Sequence, residues 1–138
     1  MRRDDFKETT KKKLAQRAGY NCSNPNCRQK TIGAHSDPEK STSIGVAAHI
    51  SAASKGGPRF DKELTSIDRK SIQNGIWLCE NCATLIDKDP EKYHKKLLIS
   101  WKLKIEGESK QNLHKFISLT DQFDSCLLYT SPSPRDRG

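Results

Sequence analysis

Residues 46–59 read V-A-A-H-I-S-A-A-S-K-G-G-P-R, and residues 74–87 read N-G-I-W-L-C-E-N-C-A-T-L-I-D. The first stretch continues a short apolar run, predicted as a strand over residues 44–50, with His49 near its end. Behind it the Gly56-Gly57 pair turns the chain and lets the backbone approach another group closely, with Lys55 and Arg59 on either side. In the second stretch Asn74-Gly75 is a turn signal, residues 76–78 form a short strand, and Cys79 and Cys82 follow as a Cys-x-x-Cys knuckle. A short helix over residues 80–86 comes next, and Asp89-Pro90 breaks it. Taken alone, His49 reads as a core histidine bonded to backbone, and Asn74 as a plain turn residue.

Outward from this pair of strands, residues 4–18 predict a helix. Phe6, Leu14 and Ala18 lie near one face, acidic residues sit near its start, and basic residues sit near its end. Gly19 suits the left-handed position that ends such a helix. Residues 31–43 carry Gly33, Pro38 and small polar side chains and read as a loop. Thr65-x-x-Asp68 resembles a capping box and predicts a short helix to about residue 71. From about residue 93 a longer helix presents Leu97, Leu98, Trp101 and Ile105 as a packing face. Past a weak point at Gly107, Leu113, Phe116 and Ile117 continue the apolar series.

The chain has 138 residues, enough for one modest domain, but only 33% are hydrophobic and the mean hydropathy is -0.85. A core this thin calls for a metal or disulfide staple. No apolar run approaches the roughly 18 residues that span a bilayer, and M-R-R-D-D-F-K has no secretory h-region. The expected compartment is therefore a reducing cytoplasm, where clustered cysteines are metal ligands more often than disulfides. A formal net charge of +8 suits a polyanionic partner or, equally, a solvated basic surface.

Residues 126–138 read C-L-L-Y-T-S-P-S-P-R-D-R-G, lack periodicity, and look like a translated sequencing adapter. They are expected to be non-native, with the natural gene running on past Asp124-Ser125. The tail holds two arginines and one aspartate, so the remaining residues still carry +7.

Cys22 and Cys27 flank a tight S-N-P-N turn, and Cys79 and Cys82 form the second pair. Two knuckles of two thiolates satisfy tetrahedral Zn²⁺ as a closed structural site, which holds a fold together and does no chemistry. Disulfides or free thiols are the alternatives; Cys126 is left over in the tail.

The combination of His49 ending one strand, Asn74-Gly75 entering the next, and Cys79-x-x-Cys82 pinning the following helix resembles the HNH (His-Asn-His) nucleases. The resemblance covers about residues 14–104. It is closest to the HNH domains at the N-terminus of bacterial antiviral effectors, where a downstream domain senses a cyclic oligonucleotide. It implies an α+β fold: a zinc-stabilised ββα-metal finger over residues 21–90, with an N-terminal helix in residues 1–20 and a C-terminal helical segment in residues 91–125. It also implies a metal-dependent DNA endonuclease, a phosphodiester hydrolase acting on double-stranded DNA. His49 would deprotonate water, Asn74 would orient its imidazole or ligate the metal, and Mg²⁺ or Mn²⁺ would bind the scissile phosphate and the leaving 3′ oxygen. A sensor domain beyond the present chain would restrain the nuclease and could assemble it into an oligomer.

Two positions depart from the family pattern. Ala48 and Ala83 stand where metal ligands are common. Asp87 lies one helical turn beyond Ala83, and a hard cation accepts a carboxylate readily, so Asp87 is the candidate catalytic-metal ligand, with Asn74 and a carbonyl near Ala48. The alternative for Asp87 is turn chemistry ahead of Pro90. Lys55, Arg59, Arg69 and Lys70 bracket the His49 turn and are the expected phosphate contacts, which carry no sequence information. The rival reading is a zinc-stabilised DNA-binding module that has lost catalysis.

Overall fold

The computed structural model describes residues 4–53 and 55–113. Helix α1 spans Glu8–Arg17, the hairpin β1 Ile32–Ala34 and β2 Ser41–Ser43 follows, and then comes β3 Gly45–His49. Helix α2 Ser66–Lys70 and a 3-10 turn at Ile72–Asn74 lead into β4 Gly75–Cys79, α3 Glu80–Lys88 and α4 Lys95–Gln111. The architecture is mixed α+β with two small antiparallel sheets, β1 with β2 and β3 with β4.

The β3–β4 hairpin is the hub. Its register sets Gly45 opposite Cys79, Ala47 opposite Trp77 and His49 opposite Gly75. Every residue of β4 is buried, so the strand has a core on each face. Because successive side chains point to opposite faces, Ile76 and Leu78 enter one cluster with Ile50, Ile86, Leu98 and Trp101. Trp77 enters the other, with Phe6, Leu14 and Ile105. Each fully buried Ile or Leu here contributes about 1.5–3 kcal/mol.

The hairpin, the short α2 and the long α4 follow the sequence closely. Thr65 and Asp68 make a reciprocal capping box on α2. Helix α4 runs through Gly107 without a break and is capped by His94, whose Nδ1 accepts from the Leu97 amide at 3.2 Å. Leu98, Trp101 and Ile105 are buried as the periodicity requires, whereas Leu113 is exposed and Phe116 and Ile117 lie outside the described residues.

Two expectations are corrected. Helix α1 starts at Glu8, not at residue 4. The segment before it is extended because Asp4 and Phe6 are pulled onto other elements: the Asp4 amide donates to the Ala53 carbonyl at 3.2 Å, and the Phe6 ring lies in the second core. The stretch read as a loop over residues 31–43 contains the β1–β2 hairpin, with Gly33 opposite Thr42. Its strands are almost wholly exposed, so no apolar alternation marks them. They are fixed at the base instead. The Thr31 hydroxyl donates to the Tyr20 carbonyl at 2.6 Å and accepts the Trp77 indole N–H at 2.9 Å. The Ile44 amide returns to the Thr31 carbonyl at 2.8 Å. No helix among the described residues is long and apolar enough to cross a membrane.

Candidate metal centre and adjoining cavity

Four cysteines converge from two turns. Cys22 and Cys27 come from the loop after α1, Cys79 ends β4, and Cys82 sits in the first turn of α3. Their sulfurs all lie within 4.8 Å of one another, with Cys27 and Cys79 at 3.9 Å. Tetrahedral zinc–thiolate bonds of about 2.3 Å would set sulfurs about 3.8 Å apart, so the cluster is close to ligating geometry. The four can hold a metal ion, and none of them is in a disulfide.

The protein surroundings alone push the thiols in opposite directions. Burial pushes the Cys22 and Cys82 thiols above their ordinary value. At Cys79 burial acts the same way but is outweighed by the Cys82 amide and the neighbouring thiols, and the net direction is down. The Asn24 side chain is buried and aims its amide Nδ2 at the Cys82 sulfur, 3.4 Å away, while its oxygen accepts from the Asn26 amide at 3.0 Å. Such a donor steadies a metal-bound sulfur from outside the ligand set. Arg28 closes the other side, donating to the Ser23 carbonyl at 2.7 Å and pairing with Glu108 of α4 at 3.3 Å. Asn24 and Arg28 escaped the sequence reading because a polar turn residue gives no sign of which way it faces.

A cavity of about 190 Å³ opens between β3, the loop behind it and α3, with Ala48, His49, Ala83 and Asp87 among its lining residues. Both alanines that replace expected ligands therefore border the same space as the candidate base and the candidate carboxylate. His49 is half-buried. Its ring stacks on Phe6 with centroids 4.0 Å apart and planes 9° apart, and its Nε2 lies 2.8 Å from the Asp4 carbonyl oxygen.

Asn74 does not line this cavity. Its amide is buried against backbone, with Oδ1 accepting from the Ser51 N–H at 2.9 Å and Nδ2 donating to the Ser51 and Arg69 carbonyls, both at 3.0 Å. Asn74 thus fixes the chain two residues past His49. Any orienting effect it has on the imidazole runs through that backbone.

The four expected phosphate contacts divide. Lys55 and Lys70 are exposed. Arg59 is turned inward, its side chain only 6% exposed, donating to the carbonyls of Ile50 at 2.7 Å and Ile86 at 2.9 Å and pairing with Asp87 at 2.9 Å. It adopts φ +58° to do so. Arg69 is also engaged internally, stacked over Phe60 and bonded to the Asp4 carboxylate at 3.4 Å and the Asp61 carbonyl at 3.3 Å. A basic residue beside Gly-Gly-Pro reads the same in sequence whether it faces solvent or the interior. Compared with known proteins, the chain matches no family model and no curated sequence.

Proposed function

We propose that this chain is a metal-dependent DNA endonuclease module of the HNH type, built as a ββα-metal finger on a structural Zn²⁺ held by Cys22, Cys27, Cys79 and Cys82. The reading is carried by one observation: His49 and Asp87 share a cavity on the β3–β4–α3 unit that the four-cysteine cluster anchors. His49 takes the proton of the attacking water. Asp87 supplies the hard oxygen ligand for Mg²⁺ or Mn²⁺, which when bound neutralises the phosphate and stabilises the leaving 3′ oxygen. Asn74 holds the loop that follows the base, and Lys55 and Lys70 face the phosphates of double-stranded DNA. In the whole protein a downstream sensor domain would restrain the module, consistent with a bacterial antiviral role.

A second reading is favoured by a different observation. Asp87 is tied to Arg59, and Ala48 and Ala83 offer no ligand atom on their side chains, which supports a DNA-binding module that has lost catalysis. A plasmid-nicking assay separates the two. Wild type with Mg²⁺ or Mn²⁺ is expected to relax supercoiled DNA while His49→Ala does not. A salt-dependent gel shift without nicking would support the binding module instead.

A further inference from the structure

Residues 4–6 form a strap that ties the segment ahead of α1 to His49. We propose that Asp4 and Phe6 are positioning residues for this histidine: the strap fixes the plane of the imidazole and selects the ring nitrogen that carries the proton. The inference rests on the nuclease reading for its functional meaning but not for its geometry.

Two contacts from the strap meet the ring. The Phe6 ring covers one face of the imidazole at 4.0 Å and nearly parallel, which removes rotation about the ring's long axis. The Asp4 carbonyl meets Nε2 at 2.8 Å. A carbonyl oxygen can only accept, so Nε2 carries the hydrogen and the lone pair of the neutral ring falls on Nδ1. The strap is itself latched. The Asp4 carboxylate accepts from the Ser66 hydroxyl and pairs with Arg69 at 3.4 Å, and the Asp4 amide bonds to the Ala53 carbonyl. Those pairings hold the Asp4 carboxyl below its ordinary value, chiefly through Ser66 and then Arg69, against the opposing effect of burial. Arg69 is thereby explained: it secures the strap from α2 instead of reaching for a phosphate. Gly75 makes room for it, because a Cβ there would come within 3.1 Å of the Phe6 ring and 2.5 Å of Leu14.

The test uses the full metal-loaded chain, with the His49 ring nitrogens read by long-range proton–nitrogen correlation above neutral pH. Wild type is expected to show a single tautomer protonated at Nε2. The double variant Asp4→Ala/Phe6→Ala is expected to show a mixture and to nick plasmid with kcat lowered about 100-fold and KM little changed, as for a misplaced reacting group. A wild-type ring protonated at Nδ1, or an unchanged tautomer in a variant that keeps its bound metal, overturns the proposal. Should the double variant lose its metal, Asp4→Ala alone must move the ring in the same direction, and no movement is equally decisive. If the tautomer behaves as stated while wild type never nicks DNA, the nuclease reading fails and the strap stands.

Discussion

At the residue scale, Arg59 and Lys70 make opposite commitments that the sequence could not separate. Arg59 serves two main-chain carbonyls and one carboxylate from a nearly sealed position. Replacing it by alanine takes this donor from the carbonyls of the buried Ile50 and Ile86, and the expected loss is about 3 kcal/mol in urea unfolding of the metal-loaded protein. Lys70→Ala is expected to leave stability within about 0.5 kcal/mol and to lower the slope of DNA affinity against salt by about one. If Arg59→Ala changed the salt slope while stability held, the inward assignment of its guanidinium would be wrong. The convergence of the four cysteines was legible because ligand chemistry is tied to spacing. The strap that holds His49 was not, since Phe6 fits a helix face equally well, and only the pull of His49, Ala53 and α2 draws it out of the helix.

At the element scale, the hairpin and α4 were readable from apolar pattern, whereas β1 and β2 were not, because nothing apolar is buried on either face. Their anchoring through Thr31 and Trp77 is a tertiary fact. Gly45 belongs to the same contact. A Cβ there would collide with the Trp77 indole, so Gly45→Ala is expected to cost about 2 kcal/mol although alanine is no worse a strand residue. A variant as stable as wild type in thermal unfolding would show that the indole has room to move.

Helices α1 and α4 are joined by Glu106, which pairs with Arg17 at 2.9 Å and Lys102 at 3.1 Å. Burial acts to raise the Glu106 carboxyl, but the two cations outweigh it and hold it below its ordinary 4.5. A carboxyl lowered on folding stabilises above its unfolded value and loses that contribution as pH falls through its folded one. Wild type is therefore expected to exceed Glu106→Gln in melting temperature near neutral pH, with the gap closing below about pH 4.5. A gap that widened on acidification would contradict the pairing.

At the scale of the whole molecule, two modest cores lie on opposite faces of one hairpin, and the cysteine cluster ties the loop after α1 to the end of that hairpin. Structural zinc is worth about 10 kcal/mol or more, comparable to the whole stability of a small domain. Chelation is expected to unfold the chain, and Cys79→Ser or Cys82→Ser to prevent folding, followed by circular dichroism with zinc re-addition. A chain that stayed folded after its metal was removed would show that the two cores suffice.

The most direct measurement is the nicking of supercoiled plasmid by protein carrying one zinc per chain, with Mn²⁺ or Mg²⁺ supplied and withheld. The expected result is relaxation that requires the added cation, leaves 3′-hydroxyl ends, and falls at least about 100-fold in His49→Ala. Relaxation at equal rates in wild type and His49→Ala, or none in either with DNA bound, would contradict a role for this histidine as the base.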